Sequence, residues 1–139
     1  MADTTQYFNL TIVTPAGTIE EYNIRHLRAP GSEGDFGILA NHLPMVTTLR
    51  IGELELDSEK RGIQYWAVSG GYVEVLGNKV IVLAENAEPA DRINLDRAEE
   101  ARDRAMNRLE KPNPDTDFER CHLALQRSLN RMKVARKSQ

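Results

Sequence analysis

The sequence predicts a mainly β fold, an N-terminal antiparallel β-sandwich, followed by a C-terminal α-helical antiparallel hairpin. Three observations carry this reading. Hydrophobic residues alternate with a period of two up to about Asn86. From about Asp91 they recur at steps of three and four. The sign of the charge then changes at the end of the chain. Arg120 to Gln139 hold six Lys or Arg (Arg120, Arg127, Arg131, Lys133, Arg136, Lys137) and no Asp or Glu, whereas the whole chain carries a formal charge of -3. A basic helix on an acidic body divides the chain into a scaffold and an arm that docks on something negative.

In the first part, Phe8, Leu10 and Ile12 alternate with Asn9 and Thr11. Tyr65 to Val75 and Lys79 to Leu83 are short β-branched or aromatic runs. Turn signals interrupt them at Pro15-Ala16-Gly17, Pro30-Gly31, Gly70-Gly71 and Gly77-Asn78. The last is a two-residue hairpin turn between Val73-Glu74-Val75 and Val80-Ile81-Val82. Short strands at this spacing predict a sandwich or barrel over residues 1–87.

Residues 91–139 predict two helices. Leu95, Ala98, Ala101, Ala105 and Leu109 form one apolar stripe. Asn94 is the expected N-cap, and Asp96 in the first turn suits the helix dipole. Pro112 and Pro114 end the first helix. Thr116-x-x-Glu119 reads as a capping box for the second, with Phe118, Cys121, Leu125, Leu129 and Met132 as its stripe. Alanines on the first helix let the second approach closely. About forty residues of Ala-rich helix are marginal alone, so the hairpin is expected to sit weakly on the sandwich or to need a partner or ligand.

Composition excludes several function classes. At 139 residues and 40% hydrophobic, the chain supports one modest core with a small appendage. No run approaches the roughly 18 apolar residues of a membrane span. Met1 to Thr5 lacks the basic-then-apolar order of a signal peptide. The one cysteine, Cys121, leaves no internal disulfide framework and is expected to be a small core hydrophobe. His26, His42 and His122 are scattered, so no metal site is expected. Phosphate-loop, dinucleotide-binding and nucleophile-elbow motifs are absent, and no catalytic residues are assigned. Nucleic acid is not an expected partner, because the one aromatic of the second helix, Phe118, lies on its apolar stripe.

Two features remain. Gly31-Ser32-Glu33-Gly34-Asp35-Phe36-Gly37-Ile38-Leu39, with three glycines in seven residues, reads as a long shaped loop, a connection or a contact surface, running on into Asn41-His42-Leu43-Pro44. Arg97 and Arg104 share a face of the first helix, and Arg127 and Arg131 a face of the second. A folded hairpin brings these four guanidiniums toward one place, where they suit phosphate or carboxylate. They also read as solvated faces paired with Glu99, Glu100 and Asp103, or as a basic face offered to an acidic partner once the second helix opens.

The landmarks are Phe8-x-Leu10-x-Ile12-Val13-Thr14-Pro15-x-Gly17, Glu33-Gly34-Asp35-Phe36-Gly37-Ile38-Leu39 with His42-x-Pro44, Val68-Ser69-Gly70-Gly71-Tyr72-Val73-Glu74-Val75, and Arg97-Ala98-x-x-Ala101. In this order, ahead of a helical hairpin, they make the chain resemble the epsilon subunit of the bacterial F-type ATP synthase over essentially its whole length. The resemblance implies a non-catalytic rotor subunit of the central stalk, peripheral on the cytoplasmic side of the inner (cell) membrane. Its implied partners are the gamma subunit and the rotor c-ring, the latter through Glu33, Asp35 and His42. The implied role is to help couple proton flow to ATP synthesis. The C-terminal helices are implied to extend toward the alpha and beta subunits and inhibit ATP hydrolysis, with Arg120, Arg127, Arg131, Lys133 and Arg136 in contact.

No cofactor is implied as a requirement, but ATP is an implied regulatory ligand of the folded hairpin in some members. Their motif, I/L-D-x-x-R-A, reads here Ile93-Asn94-Leu95-Asp96-Arg97-Ala98. Glu88, Arg104, Arg127 and Arg131 stand where those members have matching charged residues. Asn94 in place of the acid keeps hydrogen-bonding capacity but lacks the charge that would orient an arginine, which implies weaker binding. The alternative is a stand-alone ATP-sensing module with Arg97, Arg104, Arg127 and Arg131 as its phosphate cradle.

Overall fold

The computed structural model describes residues 6–138. Met1 to Thr5 and Gln139, the last residue of the basic arm, lie outside the described residues. The sandwich is built from β1 (Phe8–Thr14), β2 (Gly17–Gly31), β3 (Gly34–Leu39), β4 (Met45–Thr48), β5 (Gly52–Ser58), β6 (Gly62–Ser69), β7 (Tyr72–Leu76), β8 (Lys79–Leu83) and β9 (Asn86–Pro89). A short 3-10 turn, Ala90–Arg92, leads into α1 (Leu95–Glu110) and α2 (Phe118–Ala135), and a second, Arg136–Ser138, ends the described chain.

Hydrogen bonding joins the strands in the order β4-β7-β8-β1-β2-β5-β6-β9, with β3 added on β2. The strand pairs are antiparallel except β1 with β8, which is parallel. This departs from the purely antiparallel expectation. It is allowed because six intervening strands, not a hairpin, connect the two. Strand β2 is 15 residues long. Its first half pairs with β1 and its second half lies between β3 and β5. Asn23, at φ 56°, sits where the β1 ladder shifts register, and the β5 ladder shifts just beyond it, between Ile24 and His26. A bulge bends a strand, and asparagine tolerates the left-handed conformation this one requires.

The core follows from the alternation. Leu54 and Leu56 point inward from β5, and they meet Leu10, Ile12, Ile24, Leu27, Ile38, Val68, Val73, Val75, Val80 and Val82, all at or below 1–2% exposure. Glu53, Glu55 and Asp57 of the same strand face outward.

Several local expectations hold and several are corrected. Leu76 pairs with Lys79 across Gly77-Asn78, with Gly77 at φ 63°, as a two-residue turn requires. Asn94 caps α1, its side chain accepting from Arg97 N–H at 3.1 Å, and α1 ends at Lys111 just before Pro112. The Gly31 to Leu39 segment, however, is a hairpin rather than a long loop. Gly31 pairs with Gly34 across Ser32-Glu33, and β3 runs on to Leu39. A Cβ on Gly31 would stand 2.6 Å from the Gly34 carbonyl oxygen, so glycine there serves the tight turn.

The N-cap of α2 is Asp117, which accepts from Arg120 N–H at 3.1 Å. Thr116 instead accepts from Asn113 N–H at 2.9 Å, so the N-cap shifts by one residue and the expected box with Glu119 does not form. The stripe of α2 also turns. Phe118 and Leu129 are 51% and 47% exposed, while Cys121, Ser128, Met132 and Ala135 are buried. Close approach of two helices and a sheet selects the small side chains. Ser128 stays satisfied by donating to the Leu125 carbonyl at 2.9 Å. Buried Cys121 behaves as the expected small hydrophobe.

Gly71 has φ 110°, and a Cβ there would lie 1.8 Å from the Leu83 carbonyl oxygen. Gly62 has φ 70° with nothing within 4 Å of such a Cβ. Gly71→Ala is therefore expected to lose about 3 kcal/mol or more, from strain plus a backbone clash. Gly62→Ala should lose only about 1 kcal/mol. Denaturant unfolding of both variants checks this, and equal losses would show that the clash at Gly71 relaxes away.

Candidate functional site at the helix–sheet junction

The basic arm finds its negative surface on this chain. Helix α2 supplies the contact with β5 and β6, and α1 packs chiefly on α2. The apolar part of this seat is small. Val134 and Ala135 pack with Ala67, Ala90 and Ile93, with Tyr65 and Leu95 at the margin. Burying one Val and one Ala yields on the order of 3 kcal/mol before the entropy of ordering is subtracted. The seat alone holds the hairpin loosely.

Polar clasps complete it. Arg131 Nε lies 2.8 Å from Glu88 Oε1, and its Nη2 donates to Oε2 at 3.1 Å. Their side chains are 26% and 24% exposed, so water still screens the pair, and about 1 kcal/mol is a fair value. Asn130 Nδ2 donates to the Gly52 carbonyl at 2.8 Å. Lys137 Nζ lies 2.6 Å from Glu53 Oε1 and 4.5 Å from the centre of the Tyr65 ring. Each clasp joins the last two turns of α2, or the turn after it, to β5, β6 or β9.

The expected nucleotide residues are only partly assembled. Glu88, Arg127 and Arg131 line one cavity with Asn130, Ser69 and Asn86, but its volume is about 20 Å³. That admits about one water, far below the several hundred Å³ of a ligand pocket. Arg97 and Arg104 are exposed on α1 and do not line it. The four guanidiniums thus do not converge in this conformation: Arg127 and Arg131 line the cavity, Arg131 paired with Glu88, while Arg97 and Arg104 face solvent on α1. Asn94 is exposed, and its side-chain oxygen is committed to the start of α1. Arg120, Lys133 and Arg136 are exposed.

The expected ring-contact residues lie along β3 rather than together. Glu33 is exposed in the β2–β3 turn, and Asp35 pairs with Arg50. His42 lies beyond the other end of β3, with Nδ1 2.7 Å from the Leu43 carbonyl oxygen. Six strand residues span roughly 20 Å, so one contact that uses both ends must run the length of the strand. Exposed Leu39 and Leu43 flank His42 and give that end an apolar surface.

Sequence reasoning does not single out Glu53, Tyr65 or Asn130. The alternation Gly52-Glu53-Leu54-Glu55-Leu56 carries a signal for the first, an acidic outer face opposite a core face. Asn130 and Tyr65 carry none, since their partners are a backbone carbonyl and a lysine distant in sequence. Among the described residues there is no cluster of His, Cys, Asp and Glu suited to a metal, and no helix is long and apolar enough to cross a membrane.

A β-sandwich joined to a lightly seated helical hairpin matches known proteins along its length. The family described as ATP synthase, Delta/Epsilon chain, beta-sandwich domain matches residues 7–90, and the long alpha-helix domain of the same chain matches residues 91–136. The ATP synthase epsilon chain of Nitratidesulfovibrio vulgaris is 44% identical over 91% of this chain and 93% of its own. That of Bacillus pumilus is 41% identical over 92% and 96%. The chain belongs to the epsilon chain family of the ATP synthases. A chain in the Euglena gracilis mitochondrial ATP synthase (OSCP/F1/c-ring) shares the fold, with a TM-score of 0.74 and 23% identity over 91% of this chain and 79% of its own. One in the Tetrahymena thermophila mitochondrial central stalk/c-ring does so at a TM-score of 0.58 and 16% identity, over 98% of each.

If Arg131–Glu88 clasps the hairpin, Arg131→Met should loosen it without disturbing the sandwich. Amide exchange in α2 is expected to speed up several-fold, corresponding to about 1 kcal/mol. The core strands should be unchanged, and added salt should shrink the difference. Identical exchange in variant and parent at low salt would exclude the pair as a clasp.

Proposed function

We propose that this chain is a non-catalytic rotor subunit in the F1 central stalk of a proton-translocating ATP synthase. It lies peripherally on the cytoplasmic side of the inner (cell) membrane. The sandwich holds the gamma subunit and the rotor c-ring, the latter through Glu33, Asp35 and His42 along β3, and so helps couple proton transport to ATP synthesis. The hairpin opens, extends toward the alpha and beta subunits, and inhibits ATP hydrolysis through Arg120, Arg127, Arg131, Lys133 and Arg136.

The observation that carries this reading is the seat of α2: two buried apolar side chains and a few screened polar clasps. A purely structural appendage has no need of so weak a hold. A switch does, because its open and closed states must lie within a few kcal/mol of each other. Removing residues from Asp91 onward is expected to leave assembly of the complex intact and to raise its ATPase activity. If the truncated complex hydrolyses ATP no faster under any nucleotide or proton-gradient condition, the inhibitory role falls.

ATP is the proposed regulatory ligand of the closed hairpin, with Arg127, Arg131, Arg97 and Arg104 as phosphate donors and Glu88 and Asn94 beside them. For ATP to enter, Arg131 must leave Glu88 and the roughly 20 Å³ cavity must widen. Affinity is therefore low. Asn and Asp cap a helix equally well, so Asn94→Asp keeps the cap on Arg97 N–H and adds a negative charge at the first turn of α1. This variant is expected to bind ATP several-fold tighter by calorimetry with unchanged helix content. Unchanged affinity would remove Asn94 from the site. Strong binding that has no effect on the complex would favour the stand-alone ATP sensor over the rotor switch.

A further inference from the structure

A second opening, of about 310 Å³, lies between α2 and the outer edge of the sandwich, beside the arginine cavity. Its walls carry Arg28 and Arg50 from the sandwich and Lys133 and Lys137 from the helical end, against the carboxylates Asp35 and Glu53. Asp35 pairs with Arg50 at 2.5 Å. Glu53 Oε1 is shared between Lys137 at 2.6 Å and Arg28 at 3.9 Å. Lys133 has no carboxylate within ion-pair distance among the described residues. Arg28 also reaches Glu55, just outside the pocket, at 3.7 Å, so four cations face three carboxylates and one positive charge, that of Lys133, is left in surplus beside a concave, polar space. Such a surplus opposes closure of the hairpin unless an anion neutralises it.

We propose that this pocket is an oxyanion site that takes a phosphate-type group, inorganic phosphate or pyrophosphate, between Arg50 and Lys133. The guanidinium offers a fork of donors and the ammonium a compact charge, a pairing suited to phosphate oxygens. The volume admits a pyrophosphate with some of its water but lies at the lower limit for a nucleotide-sized ligand. Because Arg50 belongs to the sandwich and Lys133 to α2, a bound anion ties the two together and favours the closed hairpin. None of Arg97, Arg104, Arg127 and Arg131 lines this pocket, which adjoins the arginine cavity at Ile51 and Asn130 but draws on different cations.

The test uses the full chain, titrated with inorganic phosphate, pyrophosphate and ATP against chloride at matched ionic strength. Heat of binding and amide exchange in α2 are followed. Pyrophosphate is expected to bind more tightly than phosphate and to slow exchange in α2. Arg50→Gln and Lys133→Gln should each weaken pyrophosphate binding roughly tenfold, whereas Arg127→Ala should leave it unchanged. Both Gln variants replace exposed side chains, and their circular dichroism without anion confirms that they fold. ATP that competes with pyrophosphate for Lys133 identifies a nucleotide tail as the source of the group, and ATP that binds without competing identifies free phosphate. The proposal is overturned if neither anion acts beyond chloride, if both Gln variants bind like the parent, or if binding is lost in Arg127→Ala but kept in Lys133→Gln.

Discussion

The contact of a basic helix with the acidic outer face of its own sandwich governs the arrangement of this chain. β5 alternates strictly, so Leu54 and Leu56 fill the core while Glu53, Glu55 and Asp57 line the outside. The core and the docking surface are therefore consequences of one strand pattern. Arg25 and Arg28 of β2 answer part of that row within the sandwich. Glu53 takes Lys137 at 2.6 Å with Arg28 farther off at 3.9 Å, and Glu88, one strand beyond β6, takes Arg131. Of the six cations of Arg120 to Gln139, Arg131 and Lys137 are thus answered by carboxylates of the same chain.

This docking is weak by construction. A large apolar seat would fix the hairpin permanently, and a purely polar one would not localise it. Val134 and Ala135 set the position, and the charged clasps set the orientation. Ion pairs at about a quarter exposure contribute little net free energy, because the same groups are well hydrated when apart. Opening exchanges these contacts for water or for another acidic surface at small cost. The sandwich, by contrast, buries a dozen large side chains almost completely and has no comparable freedom.

Much of this was legible in the residues. Period two against period 3.6 separated sandwich from hairpin, Gly77-Asn78 marked a turn, and Asn94 and the prolines marked the limits of α1. The errors share a physical cause. The Gly31 to Leu39 segment was read as a loop because its glycines signal unusual torsions, which a two-residue hairpin turn also needs. Phe118 and Leu129 were assigned to a buried stripe by hydrophobicity, but close packing of α2 against both α1 and the sheet favoured Ser128 and Ala135 by size. The parallel pairing of β1 with β8 leaves no local signal at all, since it is set by closure of the sandwich. Among the residues expected to bind nucleotide, Arg127, Arg131 and Glu88 were brought to one small cavity. Arg97 and Arg104 were not, because face-sharing within one helix fixes a direction and does not fix what lies opposite.

Arg131 gives the proposed switch its physical logic. Its guanidinium can serve one oxyanion fork at a time, and at present that fork is the Glu88 carboxylate. A nucleotide phosphate in the closed hairpin and an acidic patch on a catalytic subunit in the open one are the same kind of acceptor. Each replacement trades one charge-assisted pair for another, so the differences between states are small compared with any single interaction. In the proposed switch, Glu88 therefore acts as an internal substitute for the ligand. There it keeps the closed form satisfied when no nucleotide is present, and it lowers the apparent affinity for ATP by the free energy of the pair that must first be broken. Asn94, already engaged in capping α1, adds no charge to offset that loss. In the proposed reading, the closed state of this chain then rests more on its own carboxylates, and on an anion between Arg50 and Lys133, than on ATP.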